Sequence, residues 1–227
     1  MGEASPDAAG HRARLRRRLI EGGPDALMDH ELIEYLLTLA IPRRDTKPLA
    51  KALLREFGGI APLLSAEPEA LLRVPGMGEA AVAALRIADA AALRLLRARA
   101  SEQPVLAGWQ ALTDYLRADM AHSAIERVRV LHLNTRNMLI RDELIAEGSI
   151  DQAAVHVREV MRRAMELGSA AIILVHNHPS GGPQPSRQDI ALTRQIIEAG
   201  RHLGVSVHDH VIVGAKGHTS LRALGLL

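Results

Sequence analysis

Two histidines separated by one residue, His176 and His178, are the strongest chemical feature of the sequence. They follow a short apolar run, Ala170 to Val175, whose branched residues and preceding Gly168 predict a buried strand. Because side chains alternate along a strand, both imidazoles are expected on the same side. Asp189 follows on the first turn of a predicted helix, after a loop rich in Pro and Gly. Two imidazoles and one carboxylate suit zinc and leave one coordination position open for water, as catalytic zinc sites do.

The same residues also allow a purely structural interpretation. Ser186 and Asp189, three residues apart, match a capping box for the predicted helix, although the usual partner of the serine is Glu or Gln. Histidines at the exposed end of a strand need not bind anything. The whole combination, H-x-H at a strand end with Ser186 and Asp189 at this spacing, is rarely met by chance and favours the metal site.

These motifs resemble a known family. The H-x-H pair, ten intervening residues and an Asp, with Ser186 three residues before the Asp, resembles the JAMM (MPN-plus) metallopeptidase signature. The fuller form, HNHPSG followed by PSRQD, resembles the bacterial RadC family. The resemblance covers nearly the whole chain and includes the N-terminal half and the stretches Leu133–Asn137, Gly148-Ser149, His156–Val160 and Asp209–Gly214.

The resemblance implies a fold and a ligand set. The fold is α/β: a JAMM/MPN-like C-terminal domain, built as a cytidine-deaminase-like layered sheet with flanking helices, preceded by a small all-α domain. One zinc ion per chain is expected on His176, His178 and Asp189. Asp209 and His210 also match the family and are expected behind or beside the ligands, since three protein ligands already fill the set.

A zinc hydrolase also needs a base that takes a proton from the attacking water. Glu143 and Glu147 both lie near the second strand of a predicted hairpin, and their spacing does not decide between them. Aligned on Leu133–Asn137 and Gly148-Ser149, the resemblance places the family's glutamate at Glu143. The Ser186 hydroxyl is then expected to stabilise the developing oxyanion. His156, at the start of a predicted helix, is expected to cap or pack rather than to bind metal.

Composition narrows the class of protein. The chain has 227 residues, no cysteine and a net charge of +2, so it forms no disulfide and its overall charge does not by itself indicate a nucleic-acid partner. Aromatic residues make up only 2%, so the core is expected to consist of Leu, Ile, Val and Ala. No apolar run approaches the ~20 residues of a membrane span. The N-terminus lacks the apolar segment of a secretory signal, and we expect a cytoplasmic protein without a membrane partner.

Local positive charge lies near the N-terminus. The run from His11 to Arg18 falls on a predicted helix, and Arg14, Arg16 and Arg17 are candidate contacts to DNA phosphates. The alternative, a solvated helix face, is common for such runs.

A second candidate DNA contact is the turn Val74-Pro75-Gly76-Met77-Gly78, which resembles a helix-hairpin-helix. Gly76 and Gly78 permit close approach of the backbone to phosphate. The basic residue usually found just after such a turn is replaced by Glu79, which would repel phosphate, so the hairpin also fits a pure packing role.

The order of predicted elements divides the chain. Residues 1–10 are expected to be frayed, residues 11–100 form the helical domain, 101–106 form a linker at which Pro104 breaks the preceding helix, and 107–227 form the metallohydrolase-like domain. The predicted helices are Ala26–Ile41, Thr46–Phe57, Glu79–Ala100, Trp109–Met120, Ala153–Leu167 and Ser186–His202, and the further strands are Arg127–Leu133, Met138–Ala146 and Val205–Val213.

Two classes of function remain after these observations. The first is a zinc-dependent hydrolase of JAMM type that cleaves a peptide or isopeptide bond in an unknown peptide or protein substrate. The second is a DNA-associated factor of the RadC family, in repair, recombination or a nuclease-like reaction, with weak DNA contact through the helical domain. A nuclease commonly needs two metals or more carboxylates than this motif supplies, which favours the amide hydrolase. A non-catalytic scaffold would have no need for the full ligand set.

Overall fold

The computed structural model of the protein describes residues 6–148 and 155–227. The described residues form two compact units that divide between Ala92 and Leu93. The division falls inside one long helix, Glu79–Ser101, which ends where the sequence predicts a linker at 101–106.

The first unit is helical, as predicted. It contains α1 (Pro6–Gly22), a short 3-10 helix (Pro24–Ala26), α2 (Asp29–Ala40), α3 (Lys47–Phe57), α4 (Ile60–Leu64), α5 (Pro68–Leu72) and the beginning of α6 (Glu79–Ser101). Its core is aliphatic and includes Ile33, Leu37, Leu53, Leu63 and Leu85, all at most 1% exposed. Because such short helices are marginal alone, this shared apolar core is what stabilises them.

The second unit is a layered α/β domain, which confirms the predicted fold class. Its elements are α7 (Trp109–Met120), β1 (Arg127–Leu133), β2 (Leu139–Glu147), α8 (Val157–Glu166), β3 (Ala171–Asn177), α9 (Arg187–Leu203), β4 (Ser206–Gly214) and β5 (Gly217–Ser220). The five strands form one sheet in the order β2-β1-β3-β4-β5. Among the strands that the structure describes, only β3 and β4 pair in parallel, and α9 is the crossover helix between them, as a parallel pair requires.

The two faces of the sheet are covered by different helices. Along β3, Ile173 and Val175 pack into an apolar cluster with α7, whereas Ile172 and Leu174 pack into a cluster with α8 and α9. His176 continues the second row, so the alternation of β3 directs it to the face covered by α9.

The predicted elements are recovered with small shifts. Strand β1 and helix α7 have the predicted bounds, while β5 has no counterpart in the prediction. Part of the helix predicted over Ala153–Leu167, and the Ser149 of the family-like Gly148-Ser149 pair, lie outside the described residues. Within the two described ranges, none of the helices has the length and hydropathy required to cross a membrane.

Candidate metal centre

The structure brings the three predicted metal ligands together. His176 Nε2 lies 2.9 Å from His178 Nε2 and 3.4 Å from Asp189 Oδ1. His178 Nε2 lies 3.7 Å from Asp189 Oδ2. Ligands about 2.0–2.2 Å from a tetrahedral zinc are themselves about 3.3 Å apart. The three side chains therefore have the spacing of a zinc ligand set.

Local structure fixes the orientation of His178. Gly181, at φ 83°, turns the loop after β3 back on itself, and the Gly182 carbonyl comes to lie 3.0 Å from His178 Nδ1. A carbonyl only accepts, so Nδ1 carries a proton, and Nε2 is the ring nitrogen left to face a metal. The backbone N–H of His178 also donates to the Val213 carbonyl at 2.9 Å, which extends the pairing of β3 with β4.

Asp189 is held by the start of α9. Ser186 is the N-cap of this helix: its hydroxyl accepts from the Asp189 N–H at 3.1 Å, and its own N–H donates to Asp189 Oδ2 at 2.6 Å. The capping box weighed as a structural alternative is thus present together with the ligand cluster. Because the cap engages Oδ2, the carboxylate is fixed in place while Oδ1 faces His176.

His176 is buried and backed by a second histidine. Its Nδ1 lies 2.8 Å from His210 Nε2 on β4, and both rings are 1% exposed. Burial lowers the pKa of His176 to about 4, against the opposing effect of Asp189, and lowers the pKa of His210 well below its ordinary value. Both rings are therefore neutral near pH 7, which is the form in which imidazole binds a metal.

The chemistry of this donor set fits a divalent cation. Two imidazole nitrogens face each other at 2.9 Å beside a carboxylate that is 3% exposed. His178 Nε2 carries a lone pair, and a neutral His176 with its proton on Nδ1 presents another. Such an arrangement is unfavourable in a buried place unless a positive charge lies between the donors. Two nitrogens and one oxygen are a set that zinc prefers.

A further glutamate, which the sequence analysis did not single out, lies at the same site. The ligand atoms of Glu126, His176 and His178 all lie within 4.8 Å of one another. Glu126 directly precedes β1, and the antiparallel register that pairs Val128 with His176 places Glu126 opposite His178. Asp189 approaches the imidazoles more closely, at 3.4 and 3.7 Å, and is more deeply buried. Asp189 is therefore the nearer of the two carboxylates to the histidine pair, and Glu126 is the second.

Asn177, the residue between the two histidines, holds the segment that carries Glu126. Its side chain is 1% exposed, and the alternation of side chains along β3 places it on the side opposite to His176. Asn177 Oδ1 accepts from the Arg127 N–H at 2.8 Å, and its Nδ2 donates to the Ile125 carbonyl at 3.1 Å. The residues on both sides of Glu126 are thus tied to the strand that carries both histidines.

The structure does not bring Glu143, the predicted base, to this cluster. Glu143 accepts from Arg163 Nε at 2.8 and 2.9 Å and lies 3.7 Å from the buried His132 Nε2, at a separate cleft of about 390 Å³ beside α8. It pairs with Val130, which is two residues along β1 from the partner of His176. By strand geometry, Glu143 therefore lies roughly 10 Å from His176 across the sheet and about 7 Å along it. Glu147, at the end of β2, lies 3.5 Å from Arg127 Nε.

The remaining predicted residues of this unit have structural contacts. Asp209 Oδ1 accepts from the backbone N–H groups of His210 and Arg222 at 2.7 and 3.0 Å, which ties the C-terminal segment to β4. His156 occupies the N-cap position of α8, although its side chain makes no capping hydrogen bond. Neither residue is a member of the ligand cluster.

The candidate DNA contacts of the helical unit are exposed. Arg14, Arg16 and Arg17 all lie on the exposed surface of α1. Arg18, by contrast, pairs with Glu31 at 2.7 Å. At the hairpin turn Gly76 has φ 96°, and the Arg44 guanidinium lies so close to it that a Cβ atom would come within 2.5 Å. Arg44 thus brings positive charge to the turn, which is followed by α6, beginning at Glu79.

Comparison with known proteins gives matches over both units. Residues 106–226 match the RadC-like JAB domain family, and residues 9–83 match the UPF0758 N-terminal family. A similar protein is the UPF0758 protein of Rhodobacter capsulatus, which is 50% identical over 213 residues. The aligned region covers 94% of this chain and 100% of that protein. These matches confirm the resemblance to the RadC family that the motifs indicate.

The ligand geometry predicts how zinc affinity responds to substitution. The wild-type protein should bind one zinc ion per chain, whereas His178→Ala and Asp189→Asn should each weaken binding more than about 100-fold, since changes behind the ligands alone cost about 10–100-fold. Competition with a chromogenic chelator measures these affinities. His208→Ala is the matched control, because this histidine of β4 contacts Asn137 at 2.7 Å instead of the cluster. Wild-type affinity in both ligand variants would contradict the assignment.

Proposed function

This chain belongs to the RadC-like JAB domain family, and on that premise we propose that it is a zinc-dependent hydrolase that cleaves an amide bond. The observation that carries the proposal is the convergence of His176, His178 and Asp189, with Glu126 directly beside them. The substrate is a peptide or an isopeptide-linked protein.

His176 and His178 supply the two nitrogen donors for zinc, and Asp189 supplies the oxygen donor. When bound there, zinc polarises the scissile carbonyl and makes a water acidic enough to lose a proton near neutral pH. The capping box at Ser186 and the hydrogen bond from His178 to Gly182 hold the donors before the ion arrives. This preorganisation favours binding, because the side chains lose little further freedom.

Glu126, rather than Glu143, is the general base in this proposal. Its carboxylate lies within 4.8 Å of the histidine donor atoms, close enough to share a water with them. Glu126 takes the proton from this water and later delivers it to the leaving amine. Glu143 is engaged by Arg163 at a separate cleft. Asn177 keeps Glu126 in position by fixing the backbone on both sides of it.

Ser186 is suited to stabilise negative charge on the substrate. Its hydroxyl oxygen accepts from the Asp189 N–H, which leaves its own proton available for donation. Ser186 is half-buried at the mouth of the loop after β3, next to the ligand Asp189. A hydroxyl held in this way can donate to the oxyanion that develops when water adds to a carbonyl.

The acid content of the site favours amide over phosphodiester hydrolysis. Nucleases commonly place two metals about 3.5–4 Å apart and hold them with several carboxylates. Near the two histidines, the described residues provide the carboxylates of Asp189 and Glu126. One is engaged as a ligand and the other is needed as a base, so this set does not support a second ion.

Substitution of the two glutamates tests the proposal. Glu126→Gln preserves size and hydrogen bonding but cannot take a proton, so activity should fall about 10²–10⁴-fold while zinc content and folding stay at wild-type levels. Glu143→Gln is the matched control and should retain most activity. The assay compares zinc-loaded variants on peptide, isopeptide-linked and nucleic-acid substrates. An inactive Glu143→Gln beside an active Glu126→Gln would reverse the assignment, and cleavage of nucleic acid alone would overturn the reaction class.

A DNA contact is a second candidate function, and it is favoured by one observation. Arg14, Arg16 and Arg17 form an exposed basic surface on α1, while the neighbouring Arg12 and Arg18 are used within the helical unit. Arginines that serve the fold are normally engaged with carbonyls or carboxylates, as these two neighbours are. The three exposed guanidinium groups are therefore available for phosphates.

Binding to duplex DNA should be weak and should fall steeply as salt rises, because each neutralised phosphate releases counterions. The triple variant Arg14→Gln, Arg16→Gln and Arg17→Gln should flatten this salt dependence, as measured by fluorescence anisotropy. The control is a second triple variant, in which three exposed arginines of the other unit are changed to Gln in the same way: Arg158, Arg194 and Arg201. Equal salt dependence in both triple variants, or no binding at low salt, would assign α1 to a solvated helix face.

A further inference from the structure

Behind the candidate metal ligands lies a continuous row of buried hydrogen bonds. His176 Nδ1 lies 2.8 Å from His210 Nε2, and His210 Nδ1 lies 2.6 Å from Thr193 Oγ1. Thr193 Oγ1 in turn lies 2.5 Å from the Asp189 backbone carbonyl. We call this row, His176–His210–Thr193–Asp189, the relay. It begins at one ligand and ends at the backbone of another, and it connects β3, β4 and α9.

The protons of the relay can be placed from its far end. The Asp189 carbonyl has no proton, so at 2.5 Å the Thr193 hydroxyl must donate to it. A hydroxyl has one proton, and Thr193 Oγ1 can therefore only accept from His210 Nδ1. His210 is 1% exposed, where a charged imidazolium would be costly, so the ring carries a single proton. That proton lies on Nδ1, and Nε2 carries a lone pair. His210 Nε2 therefore accepts from His176 Nδ1–H.

The direction of these hydrogen bonds also determines which nitrogen of His176 can bind a metal. With its proton on Nδ1, a neutral His176 has a lone pair on Nε2, 2.9 Å from His178 Nε2. If the relay ran in the opposite direction, His176 would carry its proton on Nε2 and would be unable to bind a metal there. The Thr193 hydroxyl would then face the Asp189 carbonyl without a proton between the two oxygens, which is costly in a buried place.

We propose that His210 and Thr193 are positioning residues that hold His176 in the tautomer able to bind a metal through Nε2, with the Asp189 backbone carbonyl setting the direction of the relay. The inference rests on the metal site of the proposed function but does not depend on the reaction or on its substrate. Its key feature is that the Thr193 hydroxyl controls zinc affinity although it contacts none of the donor atoms of the ligand set.

The matched pair Thr193→Val and Thr193→Ser tests the relay. Valine keeps the shape of threonine but removes the hydroxyl. His210 Nδ1 then has no acceptor, and nothing sets the direction of the hydrogen bonds in the relay. Zinc affinity should therefore fall about 10–100-fold. Serine restores the hydroxyl and should restore affinity close to wild type. Ile196→Val, at a buried position of the same helix, controls for loss of packing and should bind zinc like wild type.

Nitrogen-15 NMR of metal-free protein provides a readout that needs neither zinc nor activity. At pH 7.5 the wild-type His176 ring should show a protonated Nδ1 and an unprotonated Nε2, with its signals assigned by their loss in His176→Gln. Thr193→Val should shift His176 toward the Nε2–H tautomer, and Thr193→Ser should not. An Nε2–H tautomer in the wild-type protein, or equal zinc affinity in the valine and serine variants, would overturn the relay.

These outcomes separate the relay from the proposed function. If the zinc affinities follow the expected order but no amide substrate is cleaved, the relay stands and the reaction class fails. If the wild-type protein binds no zinc, the proposed function fails, and the tautomer of His176 in the metal-free protein alone decides the relay.

Discussion

The close approach of two imidazole nitrogens, Nε2 of the buried His176 and Nε2 of the half-buried His178, is the interaction on which the rest of the site depends. Each ring is fixed through its other nitrogen, His178 by a loop carbonyl and His176 by His210. Neither ring can therefore move its proton from Nδ1 to Nε2 without losing the hydrogen bond that its Nδ1 makes. The Asp189 carboxylate lies beside the two nitrogens, and together these three groups form a site that favours a cation.

The position of β3 in the sheet explains how other groups reach this pair. Strand β3 lies between β1, which runs antiparallel to it, and β4, which runs parallel. The start of β1 therefore meets the end of β3, which brings Glu126 opposite His178. The parallel partner brings His210 behind His176, and the crossover helix α9 returns over the same face with Asp189 on its first turn. One strand thus positions the candidate ligands, the proposed base and the groups behind them.

The local part of this arrangement could be predicted from the sequence, and the non-local part could not. His176, His178 and Asp189 were recognisable because strand alternation, a turn-rich loop and a helix start are encoded within fourteen neighbouring residues. Glu126 was missed because its place depends on which strand β1 pairs with and in which register, and these depend on contacts distant in sequence. Its position one residue before a correctly predicted strand was the available signal. Glu143 was favoured on an alignment of the hairpin, but the structure pairs it with Arg163.

We propose that His176, His178 and Asp189 together hold one zinc ion. The most direct measurement is an anomalous difference map, recorded at the zinc absorption edge, from crystals grown with one equivalent of zinc. We expect a single strong peak per chain about 2.0–2.2 Å from both histidine Nε2 atoms and an Asp189 carboxylate oxygen, with Glu126 beyond bonding distance. Absence of a peak between the histidines, or a peak bonded to Glu126 in place of Asp189, would contradict it.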